Sequence, residues 1–136
     1  MTVASPSPAY QLFVGIDIAA ATFTASWMRL DGRPSPATTF PQSPSGYAAL
    51  QGQLQATGVA PDATLIVLEA TSSYWVALAV TLHAAGYTVS VLNPAKVHNY
   101  AKSLPRRGKS DQLDAQVMAQ FAAERRPEPW TPPPAI

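Results

Sequence analysis

The chain has 136 residues, of which 47% are hydrophobic and 12% are charged, with a formal net charge of +1 and no cysteine. This length fits one domain with its own core. The lack of cysteine excludes a disulfide framework and a thiolate metal site, and it favours an intracellular setting. No apolar run approaches the roughly 20 residues that cross a bilayer, and the N-terminal segment lacks the order of a signal peptide. We therefore expect a cytoplasmic protein with no membrane contact.

Charge is distributed unevenly along the chain. Residues 1–95 hold two basic and four acidic side chains, whereas residues 96–126 hold seven basic and three acidic ones. The C-terminal third is thus a candidate surface for a polyanion. The candidates for nucleic-acid contacts are Lys96, Lys102, Arg106, Arg107 and Lys109. An ordinary solvated loop is the alternative, and Lys109 is also a candidate to neutralise nearby acids when no metal is bound.

The first half of the chain predicts three strands and one helix. Apolar runs place the strands at residues 12–18, 23–30 and 37–40. Asp31-Gly32 is a strong signal for a hairpin between the last two strands. Ser43 is expected to cap a helix that ends at Gly58.

The second half predicts alternating strands and helices. Strands are expected at residues 64–69 and 87–92, and helices at 74–85, at 95–103 and from Ser110 to about Arg126. Thr71-Ser72-Ser73 is expected to cap the helix at 74–85. An antiparallel meander followed by βαβ units predicts an α/β fold with a mixed sheet, helices on its faces and right-handed crossovers.

Proline marks both ends of the predicted domain. Ser5-Pro6-Ser7-Pro8 opposes regular structure, so residues 1–10 are expected to form a flexible leader. The domain then covers residues 11–126. Residues 127–136, which read PEPWTPPPAI, are expected to form a proline-rich tail or the start of an interdomain linker.

Asp17 is the unusual residue of the first strand, LFVGIDI. An ionised carboxylate in a strand that is covered on both sides costs several kcal/mol unless a cation or hydrogen bonds compensate it. Asp17 is therefore expected to have a cation or a hydrogen-bond donor as its partner. The alternative is that Asp17 ends the strand and caps the turn that follows.

Three further carboxylates stand in comparable places. Glu69 ends the apolar strand TLIVLE, and Asp111 and Asp114 are expected three residues apart on the apolar stripe of the last helix. A favourable interaction with the helix dipole is the alternative for this last pair. Clustered carboxylates repel one another and favour a hard divalent cation such as Mg²⁺. Two ions ~3.5 to 4 Å apart would stabilise both the attacking and the leaving oxygen at a phosphodiester.

Four segments together resemble a known family. VGIDIA, VLEATSSYW, VLNPAKVHNYAKS and GKSDQLDAQVMAQFA, in this order and spacing, resemble the N-terminal RuvC-like domain of the DEDD transposases of insertion sequences, recombinases associated with a bridge RNA. The resemblance covers about residues 12–127. The chain departs from the family pattern at Ala20, where such proteins commonly have Lys, and at Ser72 and Ser73, where Gly is frequent.

The resemblance implies an RNase H-like (RuvC-like) fold and metal-dependent phosphodiester chemistry on DNA during transposition. It implies that Asp17, Glu69, Asp111 and Asp114 are catalytic residues and ligands of one or two Mg²⁺ ions, which Mn²⁺ can replace. DNA is the implied partner, the full-length protein is expected to be a homo-oligomer, and use of a structured guide RNA is left open. Family members continue into a C-terminal domain whose serine resembles a recombinase nucleophile, so these 136 residues are expected to be an incomplete piece.

Rival functions also fit parts of the pattern. In a nucleic-acid-binding or assembly module the acids would be structural, whereas a RuvC-like junction nuclease would share the metal site. The actin-like ATPase fold also has a GID-type strand, but this chain lacks the Gly expected after Asp17 and a second domain that would enclose a nucleotide.

The histidines and two aromatic residues have structural interpretations. His83 and His98 are interpreted as a helix-packing and a surface residue, because neither has metal-ligand spacing to the acids. Tyr74 and Trp75 are interpreted as anchors that pack the start of a helix against the core. Stacking of either ring on a nucleic-acid base is the alternative.

Overall fold

One mixed five-stranded sheet organises the protein, whose computed structural model describes residues 9–103 and 114–134. The strands are β1 Leu12–Ile18, β2 Thr22–Arg29, β3 Thr38–Pro41, β4 Thr64–Glu69 and β5 Thr88–Leu92. Their order in the sheet is β3-β2-β1-β4-β5. The pairs among β3, β2 and β1 are antiparallel, and those among β1, β4 and β5 are parallel. The predicted α/β fold of RNase H-like class is confirmed.

Four helices in the described residues cover the two faces of this sheet. They are α1 Pro44–Gln55, α2 Val76–Ala84, α3 Pro94–Ser103 and α4 Ala115–Arg125, and a short 3-10 helix, Pro61–Ala63, precedes β4. The core under α1 and α2 takes Val14 and Ile16 from β1, whereas the core under α3 and α4 takes Phe13. Because side chains alternate along a strand, β1 is buried on both faces. No helix in the described ranges is both long and apolar enough to cross a membrane.

The limits of α1 follow from local sequence signals. The Ser43 hydroxyl accepts a hydrogen bond from the Gly46 backbone N–H at 3.2 Å, which satisfies one of the free donors at the helix start. Gly58, just beyond the helix, has a left-handed φ of +80°. The predicted start and stop signals of this helix are both confirmed.

The connection between β2 and β3 is longer than the predicted hairpin. The turn itself forms, and Asp31 has a φ of 67°. The ladder between the two strands, however, begins only at Thr38. The Ser26 hydroxyl donates to the Ser35 carbonyl at 2.7 Å, which holds residues 33–37 as a loop.

The start of α2 corrects the prediction of a helix from residue 74 capped by Thr71-Ser72-Ser73. α2 begins at Val76, Trp75 is its N-cap residue, and no side chain caps it. Ser72 has a left-handed φ of 57°, which a right-handed helix cannot continue. Tyr74 precedes the helix and is 48% exposed, whereas Trp75 packs against the core. The interpretation as an anchor is confirmed for Trp75 and is wrong for Tyr74.

The proline-rich tail runs along β5, an edge strand of the sheet. The Trp130 N–H donates to the Val89 carbonyl at 2.7 Å. The Trp130 ring meets the rings of Trp75 and His83, with centroids 5.7 and 6.1 Å apart. These contacts cover part of an edge that would otherwise be open to pairing. The predicted packing role of His83 is confirmed.

Tyr10 belongs to the packed part of the chain, although the sequence placed it in the leader. Its side chain is 7% exposed, and its ring meets that of Phe13 at 6.2 Å. The following residue, Gln11, donates its backbone N–H to the Ala63 carbonyl at 2.8 Å. The remaining domain limits stay predictions.

Candidate acidic site

Two of the predicted acidic residues end neighbouring parallel strands. Asp17 lies near the end of β1, and Glu69 is the last residue of β4. The parallel ladder pairs Ile16 with Leu68, one residue earlier in each strand. Continuing this register pairs Asp17 with Glu69, so the backbones at these two residues lie about 4.8 Å apart. The two carboxylates therefore lie at the same edge of the sheet.

Both carboxylates lie on the face that α3 and α4 cover. Phe13 on β1 and Val67 on β4 belong to the core under these helices. Asp17 and Glu69 stand an even number of residues after them, and residues two apart in a strand share a face. The face of each side chain thus follows from strand periodicity.

Helix α4 brings a third acid to this face. The helix crosses β1 at Gly15, where an added Cβ atom would overlap backbone atoms of Ala115 and Ala119. The missing side chain lets the helix and the strand approach closely. Asp114 directly precedes α4, and Asp17 follows Gly15 by two residues, so the same contact brings these two acids near each other.

The three carboxylates share one electrostatic environment. Burial raises the pKa of Asp17 above its ordinary value, and the negative charges of Glu69 and Asp114 raise it further. Glu69 is oriented by the Thr71 hydroxyl, which donates to its Oε1 at 3.0 Å. A cation bound at this edge would relieve the repulsion.

Asp114 caps α4 instead of lying on its face, which corrects the predicted helix start at Ser110. Its backbone is extended, with φ −111° and ψ 171°. Its Oδ1 accepts a hydrogen bond from the Val117 N–H at 2.8 Å. An Asp at this position satisfies a backbone donor that the helix leaves open, which is why the described helix begins after it. Asp111, the other predicted acid of this segment, lies outside the described residues.

A complete metal site is not formed by the described residues. Across the ranges 9–103 and 114–134, no group of three or more His, Asp or Glu side chains is arranged to hold a metal ion. Asp17, Glu69 and Asp114 share an edge and a face of the sheet without enclosing a common point. Metal binding here stays a prediction.

A cavity of about 450 Å³ adjoins Asp114, and it contains residues that the sequence analysis missed. Arg33 reaches it from the β2–β3 loop, and Gln116 and Gln120 line it from α4. The Gln116 amide donates to the Ser35 carbonyl at 3.0 Å and ties this loop to the helix. No sequence signal could have linked Arg33 with Asp114, because the loop and the helix are far apart in the chain.

The predicted basic residues divide into two groups. Lys96 and Lys102 are exposed on α3. His98 is exposed on the same helix, as predicted. The other three lie outside the described residues: Arg106, Arg107 and Lys109.

Two features define the class of this domain. It has an RNase H-like sheet, and it carries carboxylates at the ends of two neighbouring strands and at the start of the last described helix. The family model of the IS110-type DEDD transposases, described as a transposase, matches residues 14–136. The chain belongs to this family, as the sequence motifs predicted. The pilin gene-inverting proteins of Moraxella lacunata and Moraxella bovis are each 34% identical to the chain over 120 residues. This match covers 88% of the chain and 37% of each relative, so the chain spans well under half of their length.

Proposed function

We propose that this chain is the RNase H-like domain of a DNA transposase or site-specific recombinase that performs metal-dependent phosphodiester chemistry when an insertion sequence moves. The observation that carries the proposal is the placement of Asp17, Glu69 and Asp114 on one face at one edge of the sheet. Family membership supports DNA as the substrate. The proposal places the chain in the cytoplasm with its DNA. A guide RNA and a homo-oligomer of the full-length protein stay predictions.

The donor chemistry of the site suits a hard divalent cation. Asp17, Glu69, Asp114 and Asp111 would hold one or two Mg²⁺ or Mn²⁺ ions through carboxylate oxygens. Such an ion would stabilise the negative charge that develops on the phosphodiester oxygens.

The chain's own residues position the acids and the substrate. β1 and β4 are buried up to the residues that precede Asp17 and Glu69, so the backbone at both acids is held by the core. The hydrogen bond from the Thr71 hydroxyl further restricts the Glu69 carboxylate. In the adjoining cavity, the Arg33 guanidinium would contact a phosphate of the bound strand as a bidentate donor.

A nucleic-acid-binding or assembly module is the rival function. The hydrogen bond that Asp114 accepts as N-cap of α4 favours this rival function, because it gives the carboxylate a structural role. The lack of a three-ligand group among the described residues also favours it. In that case the chain would bind DNA without cutting it.

Thermal unfolding with added metal tests the proposed site without a DNA substrate. Millimolar Mg²⁺ or Mn²⁺ should raise the melting temperature of the parent, because a ligand at 100 times its Kd stabilises the folded state by about 2.7 kcal/mol. Asp17→Asn should lose most of this increase. Asp62→Asn, which changes an exposed acid on the short 3-10 helix, is the control and should keep it.

Nicking of supercoiled plasmid then separates the two functions. We expect nicking by the parent and by Asp62→Asn only when Mg²⁺ or Mn²⁺ is present, and none by Asp17→Asn. A parent that binds DNA, ignores both ions in thermal unfolding and leaves the plasmid intact would identify the chain as a binding module.

A further inference from the structure

We infer that a groove at the end of β5 binds the sugar-phosphate backbone of a polynucleotide beside the acidic site. The inference rests on the proposed function, since it assigns a place to the phosphates that flank the reacting phosphodiester. The groove consists of two adjoining cavities of about 430 and 520 Å³. Both cavities share four lining residues: Leu92, Lys96, Arg125 and Pro127. We call this surface the basic groove.

The basic groove begins one strand away from Glu69. The ladder between β4 and β5 pairs Glu69 with Leu92, and the Ala70 N–H donates to the Leu92 carbonyl at 3.0 Å. Neighbouring strands lie about 4.8 Å apart, and the carboxyl ends of parallel strands meet at one edge of the sheet. A nucleic-acid strand with one phosphate at the acidic site therefore has its next phosphates close to the groove.

The charge of the basic groove suits a polyanion. Lys96 and Arg125 line both cavities, and Arg126 and Glu128 line the second. The three cations are exposed. In the part of the chain that the structure describes, none of the three forms an ion pair with a carboxylate. Two acids face these three cations, Glu128 in the lining and Glu124 on the Tyr100 hydroxyl, so the groove keeps a positive potential that attracts phosphates.

Aromatic rings hold two of these cations in place. The Arg125 guanidinium lies 5.4 Å from the centroid of the Tyr100 ring, and the Arg126 guanidinium lies 5.4 Å from that of Phe13. The Tyr100 hydroxyl donates to the Glu124 carboxylate at 2.9 Å, so its ring is itself fixed. A guanidinium stacked on a ring keeps its in-plane N–H groups available for phosphate oxygens. The arginines are thus ordered before a ligand arrives.

The form of the groove favours a chain of phosphates over a single one. The cations are spread over both cavities, and Asn99 adds an uncharged side chain at the first. A single phosphate group would fill only part of two adjoining cavities of about 430 and 520 Å³, whereas consecutive backbone phosphates would occupy both. DNA and RNA both present such a backbone, so the ligand class is a polynucleotide and the experiment has an arm for each.

Fluorescence anisotropy of labelled oligonucleotides, measured in EDTA at several salt concentrations, tests the basic groove. The probes are single-stranded DNA, duplex DNA and single-stranded RNA of one sequence. The test variant combines Lys96→Gln with Arg125→Gln. Losing two phosphate contacts should reduce the slope of log K against log salt by roughly 1.4 for a single strand, at about 0.7 per contact. The single variant Lys96→Gln, on an exposed position of α3, should lose roughly 0.7.

Arg29→Gln is the matched control. It removes one positive charge on the opposite face of the sheet, where the Arg29 guanidinium donates to the Thr57 carbonyl beyond α1. We expect it to bind each probe as the parent does. A slope of the double variant equal to that of the parent with all three probes, or an equal loss in Arg29→Gln, would overturn the inference.

The three probes identify the ligand, and the use of EDTA separates this inference from the proposed function. A loss of slope with the DNA probes, with RNA or with both supports the groove and says which backbone it takes. Lys96→Arg with Arg125→Lys keeps both charges and should retain the parent's slope, which shows that any loss is not due to misfolding. Because EDTA removes divalent ions, the groove can pass this test even if the metal chemistry fails.

Discussion

Asp17 shows how burial and charge conflict at a single residue. Burial raises its pKa, and the negative charges of Glu69 and Asp114 raise it further. A structural carboxylate usually has partners that lower its pKa and so stabilises the fold when ionised. The ionised form of Asp17 instead destabilises the folded state when no cation is bound.

We predict that Asp17→Asn melts higher than the parent at neutral pH without divalent ions. The folded-state pKa of Asp17 lies above the unfolded value of about 3.9. At pH values between these two pKa values, the folded state therefore binds more protons than the unfolded state. The stability that Asp17 contributes is fully present below the unfolded pKa and is lost as the pH rises through the folded pKa. Thermal unfolding across this range should show the variant's advantage growing with pH. Asp62→Asn should show no such trend, and an Asp17→Asn variant that melts lower at neutral pH would mean that Asp17 is a hydrogen-bonded structural residue.

Ser72 shows a second conflict, between a side chain and its backbone conformation. Its φ of 57° is one that glycine adopts without penalty. We predict that Ser72→Gly stabilises the protein by up to about 1 kcal/mol, because relief of backbone strain exceeds the added entropy of the unfolded chain. Ser73→Gly, at a position without positive φ, should destabilise by roughly 0.5 kcal/mol. Urea midpoints of the two variants test this, and equal shifts would exclude strain at Ser72.

At the scale of elements, the packing of α4 on β1 decides where Asp114 lies. Gly15 is the contact point, because its missing side chain leaves room for the helix backbone at Ala115 and Ala119. Any side chain here would push the helix away from the strand. The geometry of the acidic site thus depends on a residue that carries no functional group.

We predict that Gly15→Ala destabilises the protein by about 1–3 kcal/mol or more, because the added methyl group overlaps the α4 backbone. Gly52→Ala is the matched control, since an added Cβ there meets no atom within 4 Å. That change should stabilise by about 0.5–1 kcal/mol, because alanine is the better helix former. Denaturant unfolding of both variants checks the pair, and a Gly15→Ala variant as stable as the parent would rule out the close packing.

At the scale of the whole molecule, the acidic site and the basic groove lie near each other but are built from different elements. Asp17 and Glu69 lie at the ends of β1 and β4, whereas Lys96 lies on α3, and Arg125 and Arg126 lie at the end of α4. This arrangement suits the proposed function, in which the cations would contact backbone phosphates and the carboxylates would act on a neighbouring one.

We predict that Arg106→Ala with Arg107→Ala weakens nucleic-acid binding to a similar extent for different sequences. Phosphate contacts carry no sequence information, and losing two of them should reduce the salt slope by roughly 1.8 for duplex DNA, at about 0.9 per contact. Binding isotherms for two unrelated duplexes at several salt concentrations measure both effects. Unchanged affinity and slope would remove these arginines from the binding surface.

Much of the secondary structure and the family could be predicted from sequence signals that lie within a few residues of one another. The cap Ser43 and the stop Gly58 bound α1, and the run TLIVLE predicts β4 at its observed limits. The four motifs also predicted the family, which the match to its family model confirms. These features could be predicted because each depends on local backbone preferences and on hydrophobic periodicity.

Contacts between distant segments were decided only by the tertiary structure. The approach of α4 to Gly15 brings Asp114 to Asp17, and the pairing of β5 with β4 places the basic groove beside Glu69. The N-cap role of Asp114 was also missed, because Ser110 is an equally suitable cap in sequence terms. Periodicity tells which face of an element is buried, but it carries no information on which distant element packs there. That choice depends on the shape and close approach of backbones far apart in the chain.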